Sequence, residues 1–148
     1  MNLPESPPSP LARTLGVAGL IPFLAGALAV WLAPPGWRLL AANALLAYGA
    51  LIVSFLGGIH WGLVMRGREA APAQLVWGIT PSLLAWAAVL MDVPWGLWLT
   101  AASLVACLAV DRMVYARQGV AAWIGLRTLL TVVAASACVL AALKIGLR

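Results

Sequence analysis

Apolar residues run through this chain in five long stretches, separated by four short breaks that carry prolines and charges. The stretches cover about Thr14 to Ala33, Leu39 to Met65, Gln74 to Met91, Trp95 to Tyr115 and Trp123 to Ile145. Each, as a helix, is long enough to cross about 30 Å of hydrocarbon. The breaks have physical causes. "APPGWR" removes backbone donors and cannot continue a helix. "RGREAAPA" joins charge to proline, and "DVP" offers Asp92 as a cap before Pro94 in a first helical turn. "DRMVYARQG" is the fourth break, and it is polar. The opening "MNLPESPPSP" is proline-rich and lacks apolar periodicity, so residues 1–13 are expected to be a disordered tail and 14–148 a five-helix transmembrane domain. Arg13 precedes an apolar run too long for a signal peptide.

Within the stretches, small and weakly polar residues recur at spacings of three and four, so each set shares one face of a helix. The second stretch aligns Asn43, Ala47, Ala50, Ser54, Gly57 and Trp61; the third aligns Gln74, Gly78, Ser82 and Ala85. The fourth aligns Gly96, Thr100, Ser103, Cys107 and Asp111, and the fifth Arg127, Thr131, Ala134, Cys138 and Ala141. Lipid tails compete equally for leucine, so helices in a bilayer associate through close backbone approach and interhelical hydrogen bonds. These stripes are therefore expected to face one another in a compact, all-α bundle. "GLIPFLAGALAV" from Gly19 and "GITPSLLAWAAV" from Gly78 share Gly, Pro, Leu and a closing Ala-Val at equal offsets. That pattern allows two parallel helix-hairpin repeats, with the fifth helix extra.

Composition narrows the class further. Of 148 residues, 64% are hydrophobic and 9% charged, against about a quarter charged in soluble domains. The net charge of +5 does not indicate nucleic acid, because the cations are scattered singly between apolar spans. They act as topology signals instead. Arg13, Arg66, Arg68, Arg112, Arg117 and Arg127 fall on one side, and Arg38, Lys144 and Arg148 on the other. In a bacterial inner membrane the positive-inside rule then predicts a cytoplasmic amino terminus and a periplasmic carboxyl terminus; in a mitochondrion the positive side would be the matrix. Trp31, Trp37, Trp95, Trp98 and Trp123 fall near helix ends, at headgroup level.

Candidate chemistry centres on the only histidine, His60, in "SFLGGIHWGLVM". It projects about 60° from Gly57 on the helical wheel, and Gly57, Gly58 and Gly62 would let a neighbouring backbone come close. Asp111 and Arg127 lie on stripes near the same end, and an ionisable group facing a bundle interior requires a partner. Asp111 is expected to pair with Arg127, with Arg112 and Arg117 snorkelling toward headgroups. His60 is expected to hydrogen-bond Asp111 or Gln74. The cluster of His60, Asp111, Arg127 and Gln74 is thus either structural or ligand-binding; Asn43, Ser54, Gly57, Gly58, Gly62, Gly78, Ser82 and Ser103 are the candidate packing residues. Cys107 and Cys138 differ by about 12 Å in depth at 1.5 Å per residue, too far for a disulfide or a shared metal with His60. No Walker loop, HExxH, GxSxG or dinucleotide fingerprint occurs, so no catalytic residue is assigned and no cofactor is identified.

"ALLAYGALIVSFLGGIHWGLVM", from Ala44 to Met65, resembles the signature of a family of small uncharacterised membrane proteins of proteobacteria and mitochondria, which includes transmembrane protein 69. "LGVAGLIPFLAGAL" before it, and "PSLLAW" and "AVDRM" after it, agree in order. The resemblance implies a polytopic inner-membrane protein and implies no activity. Likeness to the tryptophan-rich sensory proteins is superficial, since their paired Trp-Pro segments are represented here only by "APPGW". The expected role is a non-enzymatic accessory or assembly partner of a larger membrane complex, in contact with other membrane subunits and the bilayer. The alternative is a binder or carrier of porphyrin, quinone or protons at the inner ends of helices two, four and five.

Overall fold

The computed structural model describes residues 7–66, 72–117 and 119–146, and among these there is no strand. Six helices make five crossings: α1 (Pro10–Ala18) and α2 (Ile21–Leu32) share the first, followed by α3 (Pro35–Arg66), α4 (Pro72–Leu90), α5 (Val93–Arg117) and α6 (Ile124–Gly146). A 3-10 turn at Ala121–Trp123 leads into α6. All five crossings are long and apolar enough to span a bilayer, and the chain is a multi-pass membrane protein.

The first crossing begins at Pro10, four residues ahead of the expected Thr14, because Ser9 caps it by accepting from the Ala12 N–H at 3.2 Å. Of the expected tail, residues 1–6 lie outside the described residues. The same crossing is interrupted at Gly19–Leu20. Pro22 has no N–H and its ring opposes the carbonyl one turn back, which breaks the ladder. The Gly19 carbonyl is instead met by the Tyr48 hydroxyl from α3, which donates to it at 2.9 Å. Pro81, at the matching offset of the proposed repeat, sits inside an unbroken α4. The two proline segments therefore take different shapes.

Helix α3 is the hub and touches α2, α4, α5 and α6. Its closest approach is to α4: a Cβ added at Gly57 would overlap the Gly78 carbonyl, and one at Gly78 would overlap the Trp61 ring. Beside that crossing the hydroxyls of Ser54 and Ser82 share a hydrogen bond of 2.8 Å. Gly96 on α5 lies against the Ala88 carbonyl of α4, and Gly49 on α3 lies against the Thr100 methyl of α5. Backbones approach closely where a side chain is missing, the expected mode of association in lipid.

Some stripe positions differ from expectation. Asn43 and Ala47 face outward, and the Asn43 amide donates back to the Leu39 carbonyl of its own helix. Gly58 and Gly62 are exposed, with nothing within 4 Å of where a Cβ would stand; of the three glycines around His60, only Gly57 brings a neighbour close. Ser103 is buried but bonds the Leu99 carbonyl within its own helix at 2.7 Å. Nor is the interior made only of slender residues. Phe23, Leu45, Leu97 and Leu104 are among the most completely buried side chains. Because α3 has neighbours on several sides, its buried face includes Leu45, Leu46 and Val53 as well as the small positions.

At the opposite end from His60, Trp31 donates to the Leu140 carbonyl at 3.2 Å, and Lys144 lies over the Trp31 ring at 4.7 Å. Arg38 donates to the Ala33 carbonyl, completing the end of α2.

Candidate functional site: a buried polar cluster behind an apolar cleft

His60 on α3 and Asp111 on α5 each lie six residues before the ends of their helices, at Arg66 and Arg117. At 1.5 Å per residue both are about 9 Å inside. Arg127, in the first turn of α6, arrives at the same level from the other side. The three side chains meet there. Asp111 Oδ2 accepts from Arg127 Nε at 2.9 Å and Nη2 at 2.6 Å, while Asp111 Oδ1 accepts from His60 Nε2 at 3.0 Å. His60 and Asp111 are each 1% exposed and Arg127 9%, so the group is sealed from solvent on most sides.

The chemistry of this arrangement follows from its donors. An ionised carboxylate only accepts, so the imidazole form with hydrogen on Nε2 completes the bond. Asp111 thereby holds the imidazole Nε2–H with one oxygen and a guanidinium with the other. Arg127 and Asp111 cancel in charge, which makes the pair tolerable in apolar surroundings. Gln74 takes a lesser part: its amide donates at 3.5 Å to the His60 backbone carbonyl rather than to the ring. Arg112 and Arg117 are exposed, and Arg112 reaches the Thr128 hydroxyl at 3.2 Å. Arg68 lies outside the described residues.

Two polar atoms near the cluster are buried with no hydrogen-bond partner among the described residues, His60 Nδ1 and Thr131 Oγ1. Thr131 lies one turn beyond Arg127 on α6 and is 2% exposed. Arg127 and Thr131 line a cleft of about 390 Å³, within the range that holds small ligands. Its walls are the bend between α1 and α2 (Gly19, Leu20, Phe23), α3 from Ile52 to Leu63, and α6 from Leu126 to Ala134. The eleven steps from Ile52 to Leu63 along α3 give it a length of about 16 Å. Below Gly19 the first crossing keeps contact with α6, where Gly16 meets Leu126 and Leu130, and the open space lies between this crossing, α3 and α6.

Tyr115, one turn past Asp111 on α5, is buried, lines the cleft and interacts with the Arg127 guanidinium. Its signal was in the sequence: Cys107, Asp111 and Tyr115 recur every four residues on one face. Phe23 and Tyr48, packed edge to face at 5.1 Å, carried no such signal, because they become neighbours only through the crossing of α2 and α3. Among the packing residues, Ser54, Ser82, Gly57 and Gly78 come together at one crossing, Ser103 is buried apart from them, and Asn43, Gly58 and Gly62 face outward.

Comparison with known proteins agrees with a membrane protein whose activity is open. The chain is similar to "Transmembrane protein 69" of Xenopus tropicalis, 42% identical over 84 residues that make up 53% of this chain and 32% of that protein. It is similar to "Transmembrane protein 69" of Mus musculus, 40% identical over 93 residues, 60% of this chain and 36% of that protein. The match thus spans about a third of the length of these relatives. No solved structure matches. Residues 8–143, nearly all of the helical region, match one continuous family model, and the chain therefore belongs to the family described as "Protein of unknown function (DUF3429)".

Proposed function

We propose that this protein binds an apolar small molecule, drawn laterally from the bilayer, in the cleft between the α1–α2 bend, α3 and α6. One observation carries the reading: a cleft of about 390 Å³ with almost wholly apolar walls includes Arg127 and the buried, unpartnered hydroxyl of Thr131. An apolar chamber with a few convergent polar groups is the usual form of a small-molecule site. His60 and Asp111 hold the Arg127 guanidinium from behind, and no nucleophile with an activating base is present among the described residues at the cleft, so the reading is binding or carriage rather than catalysis.

The orientation read from the cations supports a cytoplasmic face at the Arg66, Arg112 and Arg117 end of a bacterial inner membrane. Reporter fusions after Arg117 and after Arg38 test it, a reversed pattern of activity being fatal to it. The binding reading is tested by purification in mild detergent, followed by solvent extraction, mass spectrometry and a visible spectrum. One apolar molecule per chain is expected, and it should be lost in Ile59→Trp, which fills the cleft from its α3 wall. A wild-type protein that carries nothing and takes up nothing added would refute the reading.

A second reading, an accessory subunit of a larger membrane complex, is favoured by Gly58 and Gly62. Both are exposed on α3 with open space before them, and small residues facing lipid are suited to a partner helix. Cross-linking from Gly58→Cys in native membranes distinguishes the two, since a specific adduct would support the subunit reading.

A further inference from the structure

We infer that the molecule taken by the cleft is an uncharged, carbonyl-headed lipid of the quinone class, with its carbonyl oxygen on Arg127 and Thr131 and its tail along α3. The inference rests on the binding reading above and adds the chemistry of the head.

Charge decides first. Arg127 is already balanced by Asp111, through two N–H groups directed at one carboxylate oxygen. A second anion here, a carboxylate or a phosphate, would stand beside the Asp111 carboxylate and compete with it for the one guanidinium in apolar surroundings, which is costly. A cation would stand against the guanidinium. The head is therefore neutral.

Hydrogen bonding decides next. A guanidinium has five N–H donors and no acceptor; Asp111 takes two of those on Arg127 and the Tyr115 hydroxyl accepts another, so two remain. Thr131 lies one turn away on the same helix and lines the same cleft, and its buried hydroxyl has no partner among the described residues. Arg127 offers donors only, and the hydroxyl can donate as well, which selects an acceptor; in a neutral lipid the strong acceptor is a carbonyl. Shape agrees with charge and donors. The rings of Tyr115 and Trp123 flank this end, and the remaining walls are aliphatic along about 16 Å of α3, giving a flat head an aromatic seat and a chain an apolar channel.

The test uses the full chain in lipid nanodiscs and three probes with matched tails: decylbenzoquinone, decanoate and decylbenzene. Native mass spectrometry counts bound probe, and thermal unfolding reports its affinity. Decylbenzoquinone is expected to bind one per chain and raise the melting temperature, with the other two binding at least about tenfold more weakly. Thr131→Val should weaken the quinone about tenfold by removing one hydrogen bond. Thr131→Ser, which keeps the hydroxyl, should retain it. Decanoate binding as well as the quinone overturns the neutral head, and decylbenzene doing so overturns the carbonyl; in both cases the cleft still binds. If no probe binds and the purified wild-type protein carries no apolar molecule, the binding reading itself fails.

Discussion

Arg127 directs both Nε and Nη2 at a single oxygen of Asp111, from the first turn of α6 to the sixth residue before the end of α5. This ties the last two crossings together inside the membrane. Breaking a buried pair from one side strands a charge, at about 3–5 kcal/mol, whereas replacing both partners with apolar residues of similar size is often neutral. Asp111→Leu should therefore lower the melting temperature in nanodiscs sharply, and Asp111→Leu with Arg127→Met should recover most of it. A double variant no better than the single one would mean that the pair supports the fold by more than mutual compensation.

His60 serves the other oxygen of the same carboxylate. His60→Leu removes the partner that Asp111 Oδ1 has among the described residues and should cost about 1–3 kcal/mol for a buried acceptor left unsatisfied. His60→Gln can place an amide N–H where Nε2 stands and should retain most of the stability. Thermal unfolding of the three proteins checks this. Equal loss in both variants would mean that ring packing, and not the hydrogen bond, is what His60 contributes.

Neighbouring glycines on α3 should respond in opposite ways. Gly57→Ala drives a methyl into the Gly78 carbonyl and must move α3 and α4 apart, an overpacking cost of about 1–3 kcal/mol. Gly58→Ala and Gly62→Ala meet open space and should be neutral or stabilising by about 0.5–1 kcal/mol, because alanine loses less backbone freedom in a helix. Melting temperatures of the three purified variants separate these outcomes, and a tolerant Gly57 would remove the proposed close crossing.

The bend in the first crossing depends on Tyr48. Tyr48→Phe leaves the ring against Phe23 but deprives the Gly19 carbonyl of its donor, at about 1 kcal/mol. Amide hydrogen exchange should quicken around Gly19 to Phe23 and stay unchanged in α4 and α5. A uniform rise across the chain would indicate a global loss of stability instead of a local one at the bend.

Much of this architecture follows from the order of residues alone. Five apolar runs broken by proline and charge imply five crossings, because a bilayer accepts backbone only with its hydrogen bonds made internally. The stripes of α5 and α6 were legible for a related reason: Asp111 and Arg127 cannot face lipid, so they fixed which side of each helix looks inward, and every stripe position from Gly96 to Asp111 and from Arg127 to Ala141 is buried. The outer half of α3 has no such marker. Leucine is equally at home against lipid and protein, so nothing local distinguishes the buried Leu45 and Leu46 from the exposed Leu51, or turns Asn43 outward. The cleft belongs wholly to the tertiary structure. It is a space left between three segments far apart in the chain, around Gly19, along α3 from Ile52 to Leu63 and along α6, a property of packing that no single segment contains.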